Sequence, residues 1–337
     1  MSATQERPVI AILGGGSWGT ALAVHAARLG HSLRLWVHDP GLAQRMAASR
    51  INGKYLPGQV LAAGVTPTQR LDEALAQARI VIVVVPSHHC RQVLEQARGL
   101  LEPEACLAIA SKGIENGTLM RLSEVARDAA GAHPIASLSG PSFAQEVARG
   151  DPTALVAASQ DAGLAARLQR LFSGGSLRLY TTDDVIGVEL GGGLKNVFAI
   201  GAGVVEGLGL GHNTRAALIT RGLAEMSRLG EALGARRETL SGLAGLGDLV
   251  LTCTGGLSRN RGLGLALGRG AGLAEHLSST PMVIEGVRTA ASARELARRA
   301  GVETPIINEV HAVLYENKPP ADAIRDLLSR ELKRESG

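Results

Sequence analysis

The chain has 337 residues, 45% of them hydrophobic and 20% charged, with a formal net charge of +4. That balance belongs to a globular protein, and the length to two domains rather than one core. With two Trp, three Tyr and three Phe, and with Lys and Arg scattered along the chain, composition speaks against a nucleic-acid binder and for small anionic partners.

Residues 1–8 carry Glu6 and Arg7 and lead straight into an apolar run, so no signal peptide and a cytoplasmic location are expected. In chain order, residues 9–13, 33–37, 80–85, 107–110 and 135–138 are predicted strands. Residues 20–29, 71–77, 89–97 and 120–130 are predicted helices between them. Runs that are apolar throughout, such as Ile80-Val81-Ile82-Val83-Val84-Val85, imply burial on both faces and hence a mostly parallel sheet under helices. Two further strands are expected at Thr153–Ala158 and 177–180, with a helix between them.

Beyond about Glu189 the character changes to Ala, Leu, Gly and Arg in helical periods, including 216–233, 262–267, 289–299 and 306–315. Residues 191–211 are long and apolar enough to invite a membrane reading at ~20 positions. Lys195, Asn196 and Glu206 lie within that stretch, and charge is costly at bilayer depth, so a buried helix is expected and no integral membrane segment. The expected fold is α/β: a Rossmann-type, mostly parallel sheet with helices on both faces over 1–190, and an all-α domain over 191–337. The three cysteines (Cys90, Cys106, Cys253) show no CxxC spacing, which disfavours both a disulfide framework and a cysteine metal site. No metal is expected.

The first strand runs into Gly14-Gly15-Gly16-Ser17-Trp18-Gly19, and Thr20 continues into a helix. This is GxGxxG with its required strand before and helix after. Gly14 permits the tight turn, Gly16 lets backbone approach a pyrophosphate, Gly19 allows close packing, and the helix N-terminus offers amides to the anion. Asp39, at the end of the second strand, is placed to accept from a ribose 2′-OH and favour NAD. His38, with Arg34 and Arg45, is placed instead to tolerate a 2′-phosphate, and the sequence leaves the two open.

Polar loops follow three strands at Pro86-Ser87-His88, Ser111-Lys112-Gly113 and Ser139-Gly140-Pro141-Ser142. The first, with His89, reads as plain turn chemistry sooner than as a ligand site, whereas Lys112 is a point charge suited to phosphate. Lys195 stands in a nearly uncharged, small-residue helix start, either as a proton donor to a ketone or as a structural lysine. Asp248 is a solitary carboxylate among apolar residues that pairs with Lys195, holds a substrate hydroxyl or caps a helix. Ser258-Arg259-Asn260-Arg261 combines a helix start with a guanidinium fork, a combination suited to a phosphate dianion or to a solvated turn.

Taken together, GGGSWGTALA, VVVPSH, SKG, SGPSFAQE, GVELGGGLKNVFAIGAG, TRGLAEMSRLG, GLAGLGDLVLTCTGGLSRNR and VIEG resemble, in this order, the bacterial-type NAD(P)-dependent glycerol-3-phosphate dehydrogenases. The resemblance implies reduction of dihydroxyacetone phosphate to glycerol 3-phosphate with NAD(H) or NADP(H), a homodimer, and a role in supplying phospholipid synthesis. Beside Gly14, Gly16 and Gly19 of the glycine turn, it implies cofactor contacts at Ser17, Trp18, His38, Lys112, Ala144, Arg259, Val283 and Glu285. Trp18 stands where the family usually has Tyr or Phe, which keeps an aromatic wall. It implies substrate contacts at Lys112, Gly140, Ser142, Lys195, Asp248, Ser258, Arg259 and Asn260, with Ser142 replacing a common Thr. Lys195 matches the catalytic lysine. The rival expectations are a two-domain β-hydroxyacid dehydrogenase and a dinucleotide-sensing module without catalysis.

Overall fold

The computed structural model describes residues 8–280, 282–332 and 334–335. Residues 1–7, on which the signal-peptide expectation rests, lie outside the described residues. The chain divides into two compact units, Met1–Glu115 with Met120–Glu189, and Asn116–Leu119 with Leu190–Gly337.

In the first unit, β1 (Ile10–Leu13) leads into α1 (Ser17–Arg28), then β2 (Leu33–Trp36) and α2 (Pro40–Ser49). A hairpin of β3 (Ile51–Asn52) and β4 (Leu56–Val60) precedes β5 (Val65–Thr68) and α3 (Leu71–Leu75). There follow β6 (Ile80–Val83), α4 (Cys90–Ala97), β7 (Cys106–Ile109), α5 (Leu122–Ala130) and β8 (Ile135–Ser139). The unit closes with α6 (Ala144–Arg149), β9 (Thr153–Ala158), α7 (Ala162–Phe172) and β10 (Leu177–Thr182).

Eight strands form one sheet in the order β10-β9-β8-β7-β6-β1-β2-β5. Neighbours run parallel except β8 and β9, which are antiparallel. The chain leaves β1 toward β2 on one side and returns to β6 on the other, so the topological switch point lies between β1 and β6. Ligands of open α/β sheets bind beyond the strand ends at such a point.

Alternate residues of each strand serve opposite faces. Ile10, Ile12, Ile80 and Ile82 join α1 and α7 residues in one core, while Ala11, Leu13, Val81 and Val83 join α3, α4 and α5 residues in another. Cutting one such fully buried Ile back to Ala costs about 2–5 kcal/mol. The hairpin and β5 were not anticipated. Leu56-Pro57-Gly58-Gln59-Val60 carries turn residues, and Pro67 in β5 is tolerated because β5 is an edge strand.

Helix α8 (Val185–Gly207) carries the division point and continues into the second unit. There follow α9 (His212–Ala232), α10 (Arg237–Leu240), a π-helical turn (Leu243–Gly247), α11 (Asp248–Thr254) and α12 (Arg259–Gly268). The rest is α13 (Leu273–Ser278), α14 (Glu285–Ala300), α15 (Pro305–Tyr315) and α16 (Pro320–Leu328), with no strand among the described residues of this unit.

By length and apolarity α8 passes as a membrane span, but 83% of its most apolar window is buried, as in a core helix. Its glycines explain how. A Cβ on Gly203 would stand 2.0 Å from the Arg261 carbonyl oxygen, and one on Gly264 of α12 would stand 1.9 Å from that of Ile200. The two helices therefore meet backbone to backbone, where only hydrogen fits. Elsewhere the buried Glu225 of α9 accepts hydrogen bonds from the first amides of α15, at 2.8 Å from Ile306 N and 3.3 Å from Ile307 N.

Candidate active site

The glycine turn lies at the switch point. Gly14 has φ +132°, and a Cβ there would stand 2.7 Å from the Val84 carbonyl oxygen, just past β6. A Cβ on Gly19 would stand 1.9 Å from Gly14 O, so α1 seats directly on the turn. Among the described residues, a Cβ at Gly16, the N-cap of α1, would meet nothing within 4 Å, and no side chain caps the helix. The first backbone bond of α1 is Thr20 N to Gly16 O, and the amides of residues 15–19 have no backbone partner among the described residues.

These amides face an uncapped helix end, the arrangement that receives a phosphate diester. Trp18 adds a second sign: its indole Nε1 is buried without a hydrogen-bond partner among the described residues. An orphaned donor beside a bare amide cradle fits a polar ligand such as a dinucleotide.

At the end of β2, His38 is exposed and lies edge-on to Trp36, with ring centroids 5.7 Å apart. Asp39 caps α2, accepting from Leu42 N at 3.0 Å. That bond holds its pKa below the usual carboxylate range, helped by the nearby cations Lys54 and Arg45. Arg34 sits mid-strand and donates to the Ala76 carbonyl, so it is not part of the strand-end cluster.

Lys112, Gly140 and Ser142 converge in the same unit. Lys112 Nζ and Ser142 Oγ both donate to the Gly140 carbonyl, at 3.2 Å and 3.0 Å. Gly140 has φ +139°, a conformation that L side chains rarely adopt. Ala144 opens the short helix α6.

In the second unit Lys195 and Asp248 form an ion pair, Nζ to Oδ1 2.5 Å, with side chains 11% and 1% exposed. Thr252 Oγ accepts from the same ammonium at 2.9 Å and donates to the Asp248 carbonyl at 2.6 Å. Of the three readings for Asp248, pairing with Lys195 is the one observed. The π-helical turn delivers it. A Cβ on Gly245 would overlap Leu240 O at 1.9 Å, and one on Gly191 would crowd Ala244 O at 2.5 Å, so a bare backbone is required on both sides. π-turns of this kind gather at functional sites. Behind the pair, burial pushes the Cys253 thiol up to about 12 even though Lys195 draws it down, which keeps it protonated.

Ser258 is the N-cap of α12, its Oγ accepting from Arg261 N at 3.2 Å. Arg259 is solvent-exposed yet closely surrounded by protein, and that desolvation lowers its pKa against the opposing pull of Glu285. Its NH1 donates to Val283 O at 2.8 Å, so Arg259, Val283 and Glu285 stand together at the start of α14. Arg261 differs, being held by both oxygens of Glu206 at 2.7 Å and 2.6 Å. Asn260 is nearly buried and largely committed, donating to Asn196 Oδ1 at 2.9 Å and accepting from Gly286 N at 2.8 Å.

Thr252 and Asn196 were missed from the sequence. Thr252 lies four residues after Asp248 on one helix, a spacing that puts both on one face. Asn196 adjoins Lys195 and had no signal of its own.

A Rossmann-type sheet with a bare glycine cradle at its switch point, followed by a helical unit with a buried lysine–aspartate pair, defines the class of two-unit dinucleotide-dependent dehydrogenases. Residues 9–165 match the model for the NAD-dependent glycerol-3-phosphate dehydrogenase N-terminus, and residues 184–325 that for its C-terminus. A glycerol-3-phosphate dehydrogenase (NAD(P)+) of Geobacter metallireducens is 53% identical over 331 residues, 97% of this chain and 99% of that protein. The crystal structure of glycerol-3-phosphate dehydrogenase from Coxiella burnetii superposes with TM-score 0.93 at 42% identity, covering 96% of this chain and 99% of that one. A ketopantoate reductase from Ralstonia eutropha shares the fold alone, with TM-score 0.61 at 15% identity, covering 94% of this chain and 99% of that one. The chain belongs to the NAD-dependent glycerol-3-phosphate dehydrogenase family.

Proposed function

We propose that this chain catalyses the reversible NAD(P)H-dependent reduction of dihydroxyacetone phosphate to sn-glycerol 3-phosphate, with residues 1–190 holding most of the dinucleotide and 191–337 supplying the catalytic lysine and most of the substrate groups. The observation that carries the chemistry is the buried Lys195 ammonium, fixed by Asp248 and Thr252 in a chain that matches the family in both units.

When bound, the nicotinamide supplies the hydride for the carbonyl carbon. Lys195 Nζ gives a proton to the carbonyl oxygen in reduction and takes it back in oxidation. Asp248 and Thr252 fix where that proton is offered, so the ammonium needs little reorganisation as the oxygen gains charge. Arg259, which has no carboxylate ion pair among the described residues, and the capped start of α12 at Ser258 suit a phosphate dianion. Asn260 serves the same region through what remains of its amide. Lys112, Gly140 and Ser142 are further substrate contacts in this reading, and Lys112 is also a cofactor contact. The dinucleotide rests on Gly14, Gly16, Ser17, Trp18 and Gly19, with His38, Ala144, Arg259, Val283 and Glu285 as further contacts.

We place the protein in the cytoplasm as a homodimer that supplies glycerol 3-phosphate for phospholipid synthesis, on the strength of the family it belongs to.

The test is a panel of dihydroxyacetone phosphate, unphosphorylated dihydroxyacetone and a β-keto acid, each with NADH and NADPH, following loss of reduced-nicotinamide absorbance. Turnover confined to the phosphorylated ketone is expected. A preference for the keto acid selects the β-hydroxyacid dehydrogenase reading, and cofactor binding without turnover selects the sensing module.

A further inference from the structure

The hairpin that sequence reasoning missed ends in a side chain buried under the glycine turn. Asn52 is fully buried. Its Nδ2 donates to Gly15 O at 2.9 Å and to Thr20 Oγ at 2.8 Å, while its Oδ1 accepts from Tyr55 N at 3.1 Å. The orientation of the amide is fixed by its partners, because a backbone carbonyl only accepts and a backbone N–H only donates.

Gly15 O is one end of a planar trans peptide whose other end is the Gly16 N–H. Holding the carbonyl toward the hairpin therefore aims that N–H the opposite way, out of the turn. Gly15 has no side chain to stiffen it, and a Cβ there would stand 2.7 Å from a Val37 methyl. On the Gly16 side a Cβ would meet nothing within 4 Å among the described residues, so packing there does not hold the peptide. Asn52 also bonds Thr20 in the first turn of α1, so the turn and the helix start are tied to one amide. The hairpin register shifts between Ile51 and Asn52, the kind of irregularity that re-aims a side chain.

We infer that Asn52 is a positioning residue for dinucleotide binding, presetting the Gly16 amide to receive the diphosphate. This deepens the proposed function and rests on its dinucleotide site. Preorganisation of this kind shows in affinity for the diphosphate, since otherwise binding must freeze a flexible glycine peptide.

The experiment measures ADP-ribose and AMP binding by calorimetry to the wild type, Asn52→Ala and Asn52→Asp, with melting temperatures to confirm folding. The wild type is expected to bind both probes. In Asn52→Ala the ADP-ribose Kd should rise about tenfold or more, the scale of one charge-assisted hydrogen bond, with a much smaller change for AMP. Asn52→Asp should show the same loss at alkaline pH, where the buried carboxyl is ionised and cannot donate to Gly15 O. Relative to the wild type at each pH, that loss should shrink as acid protonates the carboxyl and restores a donor. Unchanged ADP-ribose affinity in a folded variant, equal losses for both probes, or a deficit in Asn52→Asp that ignores pH overturns the positioning role alone. Failure of the wild type to bind ADP-ribose overturns the dinucleotide site itself.

Discussion

Lys195 sits where burial penalises a charge heavily, and Asp248 and Thr252 offset that penalty with an ion pair and a hydrogen bond. A pair of this kind adds little net stability when intact, but removing one partner strands the other. Asp248→Ala should therefore cost about 3–5 kcal/mol in denaturant unfolding, far more than a surface carboxylate. A cost under about 1 kcal/mol would show that the pair is effectively solvated.

Glu225 makes a second prediction at the same scale. Burial raises its pKa from 4.5 to about 7, against the opposing hydrogen bonds from Ile306 and Ile307. The native state then binds the proton more tightly than the unfolded chain, so this stability is fully present below pH 4.5 and is lost as pH rises through about 7. The shift corresponds to roughly 3 kcal/mol. Glu225→Gln should flatten the fall in unfolding free energy across that window, and a slope identical to the wild type contradicts the assignment.

Among the elements, the contact of α8 with α12 is the least forgiving. Gly264→Ala places a methyl where Ile200 O already sits. Overpacking of this sort costs about 1–3 kcal/mol at least, and because Lys195 lies on α8 it should lower activity alongside melting temperature. Gly256, beside open space, is the control and should tolerate Ala. A tolerated Gly264→Ala would mean that the helices can separate at no cost.

What was legible follows from the same physics. The strands at Ile10–Leu13 and Ile80–Val83 were readable because burial on both faces leaves an unbroken apolar run. The hairpin was not, since Leu56–Val60 is mostly exposed and carries Pro57 and Gly58. The turn around Gly14 was legible because its residues are local in sequence. The partnership of Lys195 with Thr252 was not, because it depends on how α8 meets α11, and nothing local encodes a contact between residues 57 positions apart. The capping role of Asp39 was open to discovery, since Asp followed by Pro at the start of a helix is a recognised entry signal.

For the whole molecule, both units match one family, and the proposed chemistry asks each for a different contribution. In that proposal the first offers amides to a dinucleotide, and the second offers an ammonium to a ketone oxygen. These contributions separate experimentally, because a variant lacking the ammonium should keep its cofactor affinity.

The most direct measurement compares wild type with Lys195→Ala, taking NADH binding by fluorescence titration and steady-state reduction of dihydroxyacetone phosphate on the same preparations. NADH affinity should stay within about threefold while kcat falls by a factor on the order of 10² or more, the usual worth of a general acid. Near-normal kcat in the variant would contradict the role of Lys195 and, with it, the proposed mechanism.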